Sequence, residues 1–128
     1  MANRLGMALA AISVLLTAGC ARQAHWYPIE SATADPDGRT ITAVILTGRP
    51  GADGRFCVQV TDTEVSETSE QVGLGIKVRN DCEPIFPWED GGTSTNFGFA
   101  RKYQFHLKGP LAGRHLVDSA TQQEIPIL

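Results

Sequence analysis

The chain has 128 residues, with 11 Lys and Arg against 14 Asp and Glu, a formal balance of −3 at neutral pH. That length suits one small domain and excludes two full ones. The mild acidity favours solubility and speaks against a nucleic-acid partner, which needs a basic face to meet phosphates.

The first element in chain order is an export signal. Arg4 supplies the positive n-region, Leu5 to Leu16 the apolar run, and Ala18-Gly19 the small residues before a cleavage site. The run is shorter than the roughly 20 apolar residues a transmembrane helix needs, and Thr17, Gly19, Cys20, Arg22, Gln23 and His25 end it. The chain is therefore expected to be anchored rather than spanning.

The pentapeptide Leu16-Thr17-Ala18-Gly19-Cys20 resembles the lipobox of bacterial lipoproteins, departing from it at Thr17, where Leu is usual. The resemblance implies removal of residues 1–19 and a diacylglyceryl group on the Cys20 thiol. It places the mature chain on the extracytoplasmic face of a bacterial membrane. Each buried methylene contributes about 0.8 kcal/mol, so two or three acyl chains hold a domain of this size firmly. The alternative is an ordinary secreted protein cut near Ala18 or Cys20.

Cleavage removes both methionines, Met1 and Met7, which argues against a methionine-rich copper site. It also removes Arg4, so the balance moves from 11 minus 14 to 10 minus 14, or −4. With Cys20 acylated, Cys57 and Cys82 remain as a pair in a compartment that permits disulfides. They are expected to bond to each other, since neither stands in a Cys-x-x-Cys motif or beside a histidine. If Phe56, Val58 and Val60 form the buried face of their strand, Cys57 points the other way, which predicts a bridge at an edge or strand end.

Residues 20–39 hold Pro28, Pro36 and the turn-like Asp35-Pro36-Asp37-Gly38, and they read as a tether and entry segment. Within it Trp26 and Tyr27 either pack on the domain, the commoner case, or sit at the lipid interface. From Thr40 onward, residues 40–128 read as the domain. Ile41 to Thr47 is rich in β-branched residues and closes at Gly48-Arg49-Pro50-Gly51, and Arg55 to Asp62 follows as a second run. Then Val72, Leu74, Ile76 and Val78 alternate with Gly73, Gly75, Lys77 and Arg79, predicting one buried face and one wet face.

The same alternation turns Tyr103, Phe105 and Leu107 inward and Lys102, Gln104, His106 and Lys108 outward. Shorter runs at Arg114 to Asp118 and Glu124 to Leu128 complete the set. No segment carries a sustained 3.6-residue stripe. Six or seven short strands between Gly and Pro turns predict an all-β fold, an antiparallel immunoglobulin-like sandwich. The Cys…Trp…Cys order of antibody domains is absent, because Trp88 follows Cys82.

Tyr103-Gln104-Phe105-His106-Leu107, Gly109-Pro110-Leu111-Ala112-Gly113-Arg114 and Val117-Asp118 resemble the closing strands of small actinobacterial-type envelope lipoproteins. That resemblance covers about a quarter of the chain. It implies a fold and an address but no active site.

Nothing in the sequence names a reaction. His25, His106 and His115 lack partners at a recognised ligand spacing, so no metal or cofactor is expected. Asp35-Pro36-Asp37-Gly38 matches only the start of a calcium loop and reads as a plain turn. Ser66, Ser69, Ser94 and Ser119 lack a Gly-x-Ser-x-Gly or Ser-x-x-Lys setting, and no enzyme is expected. Acids gather at Asp62, Glu64, Glu67 and Glu70, and cations at Arg101, Lys102, Lys108 and Arg114. These groups either oppose each other across strands, the favoured reading, or form a basic face for an anionic envelope component.

The long connection from Asp81 to Gly98 carries Phe86 and Trp88 beside acids and glycines. Loops of this length in compact domains are often functional. Phe86 and Trp88 either anchor a partner or cap the open end of the sandwich over the disulfide. The function expected from these features is a lipid-anchored, noncatalytic binding module for an envelope protein or cell-wall polymer. The alternative is a small-ligand or metal-delivery lipoprotein, which requires a concave pocket with convergent polar groups.

Overall fold

The computed structural model describes residues 23–82 and 98–128, and the regular structure within them is seven strands. They are β1 (His25–Tyr27), β2 (Ser31–Ala34), β3 (Thr40–Thr47), β4 (Val58–Glu67), β5 (Gln71–Asn80), β6 (Phe99–His106) and β7 (His115–Asp118). One sheet has the order β2-β3-β6. The other is centred on β5, which pairs with β4 along one side. Its other side is shared end to end: β1 lies along Ile76 to Val78 and β7 along Gln71 to Leu74. The pairings are antiparallel except β5 with β7, which is parallel.

The alternation read from the sequence builds the core. Ile41, Ala43 and Ile45 of β3 and Val72, Leu74, Ile76 and Val78 of β5 are buried from opposite sheets, joined by Phe105, Leu107, Leu111, Leu116 and Ile125. This is the all-β sandwich that the short strands and turns predict. Lys102, Gln104 and His106 face outward as expected, while Tyr103 packs half-buried against the core.

Three features differ from the sequence reading. First, β1 and β2 lie inside the segment read as tether and entry, and Ile29 and Ala32 belong to the core. Strands of three and four residues are too short to show a period, so their pairing comes from their partners rather than from their own pattern. Second, Arg55 belongs to a turn, with the Gly51 N–H bonded to its carbonyl, and β4 runs on to Glu67 after a register shift between Val60 and Asp62. From Thr61 to Ser66 this edge strand is exposed on both faces, which erases the alternation that would have marked it. Residues 124–128 make two isolated bridges, Val117 to Glu124 and Ala32 to Ile127, instead of a strand.

Third, the face of β5 carrying Gly73 and Gly75 is covered rather than wet. A side chain at Gly75 would start 2.6 Å from Cζ3 of Trp26, and one at Gly73 would start 2.5 Å from the Ser66 hydroxyl oxygen. The glycines therefore leave room for Trp26 to pack on the outside of the sheet, where Lys77 Nζ stands 5.5 Å from the indole centroid.

Candidate interaction surface at the disulfide end

Because β4 and β5 form an antiparallel hairpin, its open end brings the residues flanking Val58 and Asn80 together. Cys57 and Cys82 meet there, with Cα atoms 5.1 Å apart and a 2.04 Å S–S bond. The Asp81 N–H donates to the Cys57 carbonyl at 2.8 Å, extending the ladder one step. The bond thus lies at a strand end, where the phase of Phe56, Val58 and Val60 predicts it, and Cys82 is exposed.

Beside the bond lies a cluster of aromatic rings and a guanidinium. Arg101 Cζ stands 4.0 Å from the Phe56 ring centroid, and the Phe99 ring lies 5.6 Å from Phe56 at a 53° tilt. Arg101 donates from Nη1 to the Val58 carbonyl at 2.6 Å and from Nη2 to the Tyr103 hydroxyl at 2.7 Å. One side chain of β6 thereby ties the two sheets together, and stacking on Phe56 covers the flat face its hydrogen bonds leave open. The Tyr27 hydroxyl donates to the Leu46 carbonyl at 2.6 Å, satisfying β3 beyond the start of β2. Burial raises the Tyr27 hydroxyl above its ordinary 10.0, with the nearby Arg101 charge opposing.

A groove of about 690 Å³ runs along this end, lined by Arg49, Asp53, Arg55, Phe56, Gln59 and the two cysteines, among others. Phe99 keeps 38% of its surface exposed beside it. The connection containing Phe86 and Trp88 departs from Cys82 and returns at Gly98, whose N–H bonds to the Thr47 carbonyl. Both ends of that connection are therefore fixed at the disulfide end. Phe86, Trp88, Ser94 and Cys20 themselves lie outside the described residues.

At the opposite end one member of each charge group meets the other. Glu67 pairs with Arg114 at 3.1 Å, and these side chains are only 15% and 14% exposed. The carboxylate also accepts the Lys108 N–H at 2.8 Å and the Gly109 N–H at 3.3 Å, while Arg114 donates to the carbonyls of Thr68, Gly109, Pro110 and Leu111. The favoured reading, opposition between strands, holds for Glu67 and Arg114. Arg101 is taken up between the sheets instead.

The Lys108 N–H, chiefly, together with the Gly109 N–H and Arg114, holds the Glu67 carboxyl below its ordinary 4.5. Such a group stabilises the fold above its unfolded value and loses that contribution as pH falls through the folded value. Glu67→Gln is therefore expected to lower Tm at neutral pH and to flatten the fall of Tm below about pH 4.5 relative to wild type. A parallel slope in the two proteins, measured by thermal melts across that range, would contradict the assignment.

The remaining residues singled out by the sequence are dispersed. His25 and His106 are exposed on separate sheets, and His115 Nδ1 stands 3.1 Å from Glu124 on the surface. Among the described residues no group of three or more His, Cys, Asp or Glu side chains is placed to hold a metal. Asp35 to Gly38 closes the β2–β3 hairpin, with the Gly38 N–H bonded to the Asp35 carbonyl and Asp37 Oδ1 accepting the Arg39 N–H. Gly38 has φ +69°, the left-handed conformation that glycine adopts without strain.

Two groups escaped the sequence reading. Arg101 shares the phase of Tyr103, Phe105 and Leu107, so the alternation already placed a cation on an inward face, and that was its available signal. Asp118, 3% exposed, carried none. No protein-family model, curated protein or solved structure matches the chain.

Proposed function

We propose that the protein is a lipid-anchored, noncatalytic module on the extracytoplasmic face of a bacterial membrane, binding an envelope protein or cell-wall component through the disulfide end of its sandwich. The observation that carries the reading is the disulfide at Cys82, from which the segment carrying Phe86 and Trp88 departs, beside exposed Phe99 and the Phe56–Arg101 stack. Aromatic and arginine side chains are the residue types that most often anchor interfaces. The signal ending at Cys20 supports the address, and a disulfide fits an oxidising compartment.

The test is crosslinked co-purification from gently solubilised native membranes, comparing wild type with a Phe86→Ala, Trp88→Ala variant of equal melting temperature. One protein or glycan recovered with wild type and lost with the variant is the expected result. A partner that survives both changes, or none at all, would overturn the assigned surface.

A further inference from the structure

We infer that the disulfide end of the sandwich is the membrane-facing end, lying against the lipid headgroups with Phe56 and Phe99 at the bilayer surface. This rests on the lipid anchor at Cys20 proposed above and adds an orientation to it.

The length of the tether carries the argument. Three residue steps separate Cys20 from Gln23, so Gln23 lies within about 11 Å of an acylated Cys20. Strand β1 runs antiparallel to β5, with His25 opposite Val78 and Tyr27 opposite Ile76. Followed backwards from His25, the chain therefore leaves the sheet towards Arg79 and Asn80, the residues that lead to Cys82. The anchor enters at the same end as the disulfide. Strand β5 spans ten residues, about 33 Å at its usual rise. That length puts the turns at Asp35–Gly38, Thr68–Gln71 and Leu111–Arg114 at the far end, a distance the short tether does not let them recover by folding back.

The aromatic side chains are distributed in the same sense. Phe56 and Phe99 lie at the disulfide end and Tyr27 in the half nearest it, the Trp26 ring reaches back over Gly75 midway along β5, Tyr103 lies midway, and Phe105 pairs across from Ile41 towards the far end. Phe56 is half-buried and Phe99 is 38% exposed, so each presents part of a ring outward. Partly exposed aromatic rings are favoured at the headgroup level of a bilayer. Charge does not set the orientation. The cations Arg49, Arg55 and Arg79 at this end are accompanied by Asp53 and Asp81, and the adjoining segment adds Glu83, Glu89 and Asp90. Tether length and aromatic contact act without an anionic lipid.

The test uses the lipidated protein purified from bacterial membranes and reconstituted in phosphatidylcholine nanodiscs doped with a headgroup nitroxide lipid. Intact mass comes first: an unmodified Cys20 would overturn the anchor and this orientation with it. With the acyl mass present, the amides of Phe56, Lys77 and Phe99 are expected to lose most of their NMR intensity, while those of Gly38, Ser69 and Gly113 keep theirs. Uniform attenuation, none, or attenuation of the second group alone would overturn the orientation and leave the anchor standing.

Discussion

Asp118→Ala is expected to destabilise the domain by about 3 kcal/mol, read as a lower urea midpoint at unchanged m. The side chain is buried at the end of β7, and its two oxygens serve separate parts of the chain. Oδ2 accepts the Ile29 N–H at 3.0 Å and the Thr121 hydroxyl at 3.3 Å, while Oδ1 accepts the Ala120 N–H at 2.9 Å. Ile29 stands between β1 and β2, where the chain passes from one sheet to the other, and its N–H has no β partner there. Alanine would leave the buried Ile29 N–H without an acceptor, which costs about 1–3 kcal/mol, and would release the Ala120 N–H and the Thr121 hydroxyl, which water can reach. Asn keeps one acceptor oxygen but turns an NH2 towards donors on the other side, so Asp118→Asn should fall between wild type and alanine. A loss below about 1 kcal/mol for alanine would mean that water reaches the Ile29 amide and that the crossing is not held by this carboxyl.

How far the sequence discloses this structure depends on the distance over which each feature is determined. The alternation of Val72, Leu74, Ile76 and Val78 is local, and so is the β-branched run of β3, so the sandwich and most of its core are legible. The bridge between Cys57 and Cys82 follows from cysteine count and compartment, and its place at a strand end follows from the phase of Phe56, Val58 and Val60. What escapes is determined by contact between distant segments. Gly75 reads as a wet-face residue until Trp26, far away in sequence, is found lying on it. Strands β1 and β2 exist because β5 and β3 offer unpaired edges, which no period within His25–Tyr27 or Ser31–Ala34 records. The candidate surface divides in the same way. The connection with Phe86 and Trp88 is visible as composition, whereas the stack of Phe56 on Arg101 joins the start of one sheet's edge strand to the other sheet.

Removing the disulfide as Cys57→Ser, Cys82→Ser is expected to cost about 3.5 kcal/mol at 25 °C, the chain-entropy value for closing a loop of 25 residues. That is a large part of the marginal stability of a domain this small. The paired substitution leaves no free thiol to exchange, and at the exposed Cys82 a serine hydroxyl is readily hydrated. Most of the loss should come from a denatured chain that gains freedom, because β4 and β5 remain joined by their ladder up to Val58 and Asn80 and by the bond from the Asp81 N–H to the Cys57 carbonyl. The denatured chain also becomes more extended, so m should rise while the midpoint falls. Hydrogen exchange separates this global effect from a local one. Exchange at Leu74, deep in β5, should quicken by the global loss, and exchange at Asp81 should quicken by more, because the last step of the ladder frays once the sulfurs no longer hold it. If Asp81 and Leu74 instead quicken equally, the end of the ladder at Asp81 does not depend on the bridge, and partner binding through residues 83–97 should survive reduction. If Asp81 frays as expected, reduction under conditions in which the destabilised core stays folded should weaken partner capture, which makes the disulfide a requirement of the binding end as well as of the fold.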